Sequence, residues 1–489
     1  MARKPNLLFI FSDQQRADTL GCYGNLLVQT PHLDRLAGRS VLFEKTYVTQ
    51  PVCTPSRSSI MTGLYPHANG CTENNLPLKA DVPTIAEMVS PEYVRAYNGK
   101  WHLGDEVIPQ HGFDHWLSVA DKYRSHFTKE AYRPLFTDYH HFLLEQGFTP
   151  DREWYGAKVF AGPWAAQLPE ELTKAGFQAR KAAAFIREHR DRPFVLYVSF
   201  VEPHRPYYSP FDDLCPPEEV PVGPHFRQPP GEDAALIKRL TSDACLCKGM
   251  LDGGDLTTEA GCRWLRAKYL GMVTLVDRAV GQILQAVDDA GIGEHTIVVF
   301  SSDHGDFVGD HMLFGKSLLY EEVSRVPLLM HVPWLGSQPR RIAEPISQID
   351  LVPTLLDLLD EPIPDGLHGI SRLPLLTGGT TLPDQNGQDV FLEWNGVDGW
   401  PKRAEAPTVT EEQWRQVLGP WRTVVTADGW KLNLSPVDQC ELFNLAQDPH
   451  EQRNLFDDPA CRDRVRDLAV RIRRWQARTG DDAPLPEIS

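Results

Sequence analysis

The chain has 489 residues, 49 of them basic and 66 acidic, for a net charge of −17, and 42% are apolar. That length supports two domains, and the apolar share builds cores without disulfide staples. The acidic balance excludes a nucleic-acid surface, which needs a basic face, but not an anionic substrate, because a local pocket can carry a field opposite to the global charge.

Met1-Ala-Arg-Lys-Pro runs straight into an apolar stretch ending at Phe11. It is too short for a signal-peptide core, and no segment reads as long enough to span a membrane, so a cytoplasmic location with no membrane partner is expected. The nine cysteines are scattered, show no paired zinc spacing and are expected to be mostly free. The residues are compatible with an oligomer and do not set its order.

Leu7 to Phe11 reads as a buried parallel strand ending in Ser12-Asp13-Gln14. Ligands of open α/β sheets bind at the carboxyl ends of strands, so Asp13 and Gln14 are candidates for holding a hard cation; a helix N-cap aspartate is the plainer reading. A helix follows from Thr30, then a strand over Val41–Val48, leading to Thr49-Gln-Pro-Val-Cys53-Thr-Pro-Ser-Arg57-Ser-Ser-Ile-Met-Thr-Gly63. Pro55 suits the first position of a helix over Ser56–Thr62, and Gly63 can close it. Cys53 then stands at a helix N-terminus, where the dipole favours an anion, and Arg57 adds a fixed positive charge. Taken by position alone, Cys53 is a buried small hydrophobe.

Tyr93 to Tyr97 reads as a strand that leads into Asn98-Gly-Lys100-Trp-His102. In extended chain Lys100 and His102 share one face and Trp101 packs on the other. Residues 105–180 are irregular and aromatic, with Trp116, Tyr123, Phe127, Tyr132, Tyr139, Trp154 and Trp164; they either wall a pocket or decorate the fold with a small core of their own. A helix is expected over Ala165–Glu188, then the strand Phe194–Phe200, with His204 on the loop after it. Residues 208–232 are Pro-rich and read as irregular. A helical period over Trp264–Ala290 precedes the strand Thr296–Phe300, whose end, Ser301-Ser-Asp303-His304, repeats the logic of Asp13-Gln14. Lys316 follows a loop, and Val326–Val332 is a further strand.

Composition shifts after Leu376, which sets a domain of 1–376 and a smaller unit of 377–489 with strands at Asp389–Trp394, Trp421–Thr426 and Gly429–Leu434 and a helix over about 460–477. Trp394, Trp400 and Trp414 hint at ring stacking on an aryl or sugar substrate. The fold class is α/β: alternating strands and helices build a doubly wound sheet, followed by an α+β tail. If the sheet is parallel, Asp13, Gln14, Asp303 and His304 converge beside Cys53, and Arg57, Lys100, Lys316, His102 and His204 form a cationic cup suited to a tetrahedral anionic ester.

The Cys53-Thr-Pro-Ser-Arg57 string resembles the signature of the formylglycine-dependent sulfatases, with Gly99-Lys-Trp-His102, Pro203-His204, Asp303-His-Gly305, Lys316 and Glu441-Leu-Phe-Asn as further matches along almost the whole chain. The resemblance implies an alkaline phosphatase-like fold with a large mixed, mainly parallel sheet. It also implies hydrolysis of a small-molecule or saccharide sulfate ester by formylglycine derived from Cys53. The cysteine would be oxidised by a formylglycine-generating or anaerobic sulfatase-maturating enzyme. One divalent metal would be held by Asp13, Gln14, Asp303 and His304 beside residue 53: Ca²⁺ first, with Mn²⁺ or Mg²⁺ as alternatives. Lys100 and Lys316 would hold the sulfate, His204 would serve the leaving alcohol, His102 would act as base and Arg57 would stabilise the hydrate. Many sulfatases have Asp-Asp and Asp-Asn where this chain has Asp13-Gln14 and Asp303-His304. A histidine nitrogen favours a transition ion over calcium, and both pairs resemble the phosphonate monoester hydrolases, which makes phosphonate or phosphodiester hydrolysis the alternative.

Overall fold

The computed structural model describes residues 4–379, 389–396 and 409–488. The apolar run at Leu7–Phe11 is the middle of strand β1 (Asn6–Asp13). Its side chains alternate between two cores, Leu8 and Ile10 on one face and Leu7, Phe9 and Phe11 on the other. A strand buried on both faces reads as continuous apolar sequence, which is why no alternation is visible.

Eight more strands complete the sheet: β2 (Val41–Tyr47), β3 (Val94–Gly99), β4 (His115–Ser118), β5 (Phe194–Pro203), β6 (Thr296–Ser302), β7 (Arg325–His331), β8 (Arg340–Ile342) and β9 (Ile346–Ser347). Their order is β8-β2-β7-β6-β1-β5-β3-β4, with β9 also on β2. β6, β1, β5, β3 and β4 are parallel, whereas β7 is antiparallel to both of its neighbours. Ser12 pairs with Ser302 and Gly99 with Ser199, so Asp13, Asp303 and Lys100 leave the sheet together at the carboxyl ends of its parallel strands. Gly99 is required there: a Cβ on it would lie 2.0 Å from the carbonyl oxygen of Ser199.

The Lys174–Glu188 and Glu259–Asp289 helices cover one face; the Cys53–Thr62 and Leu351–Leu358 helices cover the other. The Glu259–Asp289 helix is long and apolar enough to cross a membrane, a feature missed in the sequence, but most of its apolar window is buried inside the protein. The single helix expected over Ala165–Glu188 is two, Gly162–Ala166 and Lys174–Glu188. Pro169 lacks the N–H a continuous helix needs, and the Thr173 hydroxyl caps the second one by accepting from the Gly176 N–H.

β10 (Val390–Trp394), β11 (Trp421–Val425), β12 (Trp430–Leu434) and β13 (Glu441–Asn444) form an antiparallel sheet in that order. β13 was not expected as a strand. The Arg462–Thr479 helix buries Val465, Leu468, Ile472 and Trp475 against this sheet. Trp394 and Trp414 are buried in a core cluster rather than offered to a ring substrate, and Trp400 and most of the linker expected after Leu376 lie outside the described residues.

Candidate active site

The Cys53–Thr62 helix starts two residues earlier than Pro55 led one to expect. The first four N–H groups of a helix have no intrahelical partner, so proline costs no hydrogen bond in its third position. Cys53 is therefore the first helical residue, and Gly63, at φ 71°, closes the helix as expected. Every residue from Cys53 to Thr62 is buried.

The parallel pairing of β1 with β6 brings the two acidic pairs to Cys53. One donor atom each from Asp13, Cys53, Asp303 and His304 lies within 4.8 Å of all the others, and all four residues are buried. Cys53 Sγ is 3.2 Å from His304 Nε2 and 3.7 Å from Asp13 Oδ1. His304 Nδ1–H donates to the Gly305 carbonyl at 2.8 Å, which leaves Nε2 as a lone-pair donor facing the cluster. Two carboxylates and an imidazole nitrogen fit one divalent cation. Gln14 stands at the same strand end, but its Oε1 accepts from Lys316 Nζ at 2.9 Å and its Nε2 donates to Asp306.

Arg57 differs from the expectation. Its guanidinium does not line a cup: Nε donates to Asp303 Oδ2 at 2.8 Å, Nη2 to Asp13 Oδ2 at 3.1 Å, and Nη1 to the Lys100 carbonyl at 2.7 Å and Ser199 Oγ at 2.8 Å. It clamps both metal-ligand candidates from behind. The cations that do face Cys53 are Lys316, with Nζ 2.8 Å from Sγ, and Lys100, with Nζ 3.6 Å from Sγ and also on Asp13. Burial and Asp13 push the Cys53 thiol up, but Lys100, Lys316 and His304 outweigh them and bring it to about 6. Burial likewise opposes charge on Asp13, yet Lys100, His204, Arg57 and Lys316 together hold it well below the usual carboxylate range.

Trp101 packs away from the site among Tyr97, Phe113 and Trp116. His102 is not in extended chain: its φ is 59°, and Glu106 holds the turn by accepting from the Trp101 N–H at 3.0 Å and the His102 N–H at 2.6 Å. Burial pushes the Glu106 carboxyl up to about 7. The His102 ring stacks on Tyr123 at 3.9 Å and donates from Nε2 to Asn75 Oδ1 at 3.0 Å, so the lone pair is on Nδ1, which is buried with no partner among the described residues. Burial, Lys100 and Arg57 hold His102 well below its ordinary value; burial and Lys122 do the same to His204, whose Nδ1–H donates to the Arg205 carbonyl at 2.7 Å.

Three supporting residues escaped the sequence reading, and a fourth, Tyr123, was named only as one of the aromatic residues of 105–180. Asp306 accepts from Gln14, the Tyr207 hydroxyl, the Val308 N–H at 2.9 Å and the Gly315 N–H at 3.0 Å, which ties Gln14 to the loop that carries Lys316. Asp306 lies three residues past Asp303 in a string already singled out, so a signal for it was present. Glu106 and Asn75 gave none, because their role depends on the left-handed backbone of His102; Tyr123 matches the pocket-wall reading of the aromatic stretch by stacking on His102.

The sulfatase family profile matches residues 5–361, and the profile of the N-sulphoglucosamine sulphohydrolase C-terminal region matches 309–478. The chain is 30% identical to an arylsulfatase of Clostridium perfringens over 94% of this chain and 92% of that one. It is 25% identical to an N-acetylglucosamine-6-O-sulfatase of Bacteroides thetaiotaomicron, covering 99% and 88%. Its fold is similar to that of the phosphonate monoester hydrolase of Agrobacterium radiobacter, with a TM-score of 0.76 at 23% identity over 97% and 96% of the two chains. The fold is thus that of the alkaline phosphatase superfamily, and the chain belongs to the sulfatase family as a sulfuric ester hydrolase.

Proposed function

We propose that the chain hydrolyses the sulfate ester of an aryl or sugar alcohol, with formylglycine formed from Cys53 as nucleophile and one divalent cation held by Asp13, Asp303 and His304, with Gln14 beside them. The family implies both groups, and the residues around Cys53 fit them. When present, the cation supplies Lewis-acid polarisation of the sulfate, and the hydrated aldehyde supplies a nucleophile that can expel its own product. The imidazole nitrogen of His304 favours Mn²⁺ over an all-oxygen Ca²⁺ site. Saccharide esters enter this reading through the N-acetylglucosamine-6-O-sulfatase relative.

The chain's own side chains divide the remaining work. Lys100 and Lys316 flank residue 53 and offer fixed donors to the sulfate oxygens, where charge builds up in the transition state. Arg57 acts as a positioning residue by orienting both carboxylates. His102, neutral with its lone pair at Nδ1, is a proton acceptor. His204 keeps its lone pair at Nε2, so it passes a proton to a leaving oxygen only after taking one up. Cys53 is 1% exposed, so a maturating enzyme has to reach it before the helix is packed.

The single observation that carries the reading is Cys53 at the first position of its helix, 3.2 Å from His304 Nε2 and 2.8 Å from Lys316 Nζ. The test is mass spectrometry of the tryptic peptide that spans residue 53, with turnover of an aryl sulfate by wild type and Cys53→Ala. Formylglycine in active protein and loss of turnover in a folded Ala variant are expected; wild-type activity in that variant overturns the nucleophile assignment. The alternative, phosphonate monoester or phosphodiester hydrolysis, is favoured by neutral Gln14, which leaves the site more positive than a third carboxylate would.

A further inference from the structure

A cavity opens beside the segments that carry His102's stacking partner and His204. Tyr123 stacks on His102, and its neighbour Lys122 lines the cavity; Arg205, next to His204, lines it from the other side. Its volume is about 380 Å³, enough for a ring with its substituents. Its aromatic wall includes Tyr139, Trp154 and Phe160.

The charges in this cavity are unbalanced. Among the described residues, Lys122, Arg152 and Lys174 have no carboxylate ion pair, while Arg205 is paired with Asp252 at 3.1 Å. Arg152 lies over the Trp154 ring at 4.5 Å and Lys174 over Tyr139 at 5.7 Å, which holds both along the wall. The acids that line the cavity are committed elsewhere: Asp121 accepts from the Thr137 N–H and hydroxyl, and Asp252 serves Arg205. The buried Glu202 attracts Lys174, but burial raises its carboxyl above the ordinary range and the two form no ion pair. Burial and Lys100 bring the Lys122 ammonium down to about 7, so it adds only part of a charge. Arg152 and Lys174, two cations without an ion pair around one ring-sized cavity in a protein of net charge −17, make a local field that selects anions. A neutral alcohol leaves those cations unused, and a cationic one is repelled.

We propose that the alcohol half of the substrate is a ring bearing a second anionic group, carboxylate or sulfate, and that this cavity binds that group through Arg152 and Lys174, with the Lys122 amine as a further hydrogen-bond donor. The inference rests on the sulfate-ester reading above and adds the class of alcohol.

Two esters test it, 4-nitrophenyl sulfate and 3-carboxy-4-nitrophenyl sulfate. Wild type should prefer the carboxylated ester by roughly tenfold in kcat/KM, since a charge-assisted contact is gained. That ratio should fall severalfold in Arg152→Gln and in Lys174→Gln, mainly through KM, and drop below one in Arg152→Glu. A general structural defect lowers both esters together and leaves the ratio unchanged, so an unchanged ratio in all three variants overturns the proposal, as does a wild-type ratio near one. If wild type turns over neither ester, the sulfate reading fails separately. The cavity is then judged by calorimetric titration of 5-hydroxy-2-nitrobenzoate into wild type and Arg152→Glu: clearly tighter binding to wild type supports the cavity, and equal binding refutes it.

Discussion

Arg57 is the residue whose removal should cost most. Its side chain is 1% exposed, those of Asp13 and Asp303 are fully buried, and its four contacts lie between 2.7 and 3.1 Å. Arg57→Ala leaves two buried carboxylates short of their shared cation, and breaking a buried pair in this way costs about 3–5 kcal/mol. Stabilities of folded domains are only about 5–15 kcal/mol, so the change should be plain in a denaturation midpoint. The matched control is Arg341, 55% exposed and 2.8 Å from Glu44; losing an exposed pair costs about 0–1 kcal/mol. Arg57→Lys separates charge from shape: it keeps the positive charge but cannot span both carboxylates, since an ammonium is a point donor and not a fork. It should fall between wild type and Ala in stability, with reduced aryl sulfate turnover. The assay is guanidinium denaturation of wild type, Arg57→Ala, Arg57→Lys and Arg341→Ala side by side. If Arg57→Ala shifts the midpoint no more than Arg341→Ala does, the clamp contributes no stability and the reasoning fails.

Asp303→Ala should lose bound metal and activity together; full metal occupancy in that variant, measured by elemental analysis, rules out Asp303 as a ligand. Burial and the neighbouring cations depress His102, so its basic form persists well below pH 6.5 and the acid limb of aryl sulfate turnover should lie there; a limb centred at 6.5 or above contradicts His102 as the base. The same depression carries a stability cost on acidification: below pH 6.5 the unfolded chain takes up a proton at His102 that the folded chain does not, so His102→Asn should flatten part of the stability loss between pH 6.5 and the depressed value. Matched nitrophenyl sulfate and nitrophenyl phosphodiester should be ranked sulfate first and phosphodiester a measurable second; a clear preference for the phosphorus ester promotes phosphodiester hydrolysis over the sulfatase reading.

The strand ends were legible because the buried strands are continuous apolar runs that stop at polar residues, as Phe11 gives way to Ser12-Asp13 and Phe300 to Ser301-Ser-Asp303. Their convergence then needed only that β1 and β6 be parallel neighbours, which alternation with helices favours. What hydropathy does not encode is strand direction, so the antiparallel β7 was not legible, nor was the four-residue β13. The role of Arg57 was misjudged for a similar reason. One helical turn after Cys53 is the right distance for a charge beside the thiol, but the depth of the helix N-terminus against the sheet sends the guanidinium to Asp13 and Asp303. The left-handed backbone at Gln14 and His102 is carried by neither glycine nor asparagine, and tertiary contacts impose it.

The neutral residue at position 14 has a physical reason in Asp306. The Gln14 side chain meets a cation on one side, Lys316 at 2.9 Å, and a carboxylate on the other, Asp306. An amide satisfies both, because its oxygen accepts from the ammonium and its nitrogen donates to the carboxylate. An aspartate there could accept from Lys316 but would face Asp306 as a like charge in a buried place, and one of the two would be driven toward its neutral form. The site therefore keeps a third acid but moves it behind the amide, where it also receives the Val308 and Gly315 N–H groups and the Tyr207 hydroxyl. The negative charge that many sulfatases place beside the metal serves here to fix the loop that carries Lys316. The face presented to the substrate is left with two carboxylates, Asp13 and Asp303, against Lys100 and Lys316. That balance is more positive than an Asp-Asp site provides, and it is the reason a monoanionic phosphodiester, with the same tetrahedral shape as a sulfate ester, should be accepted as a slower second substrate.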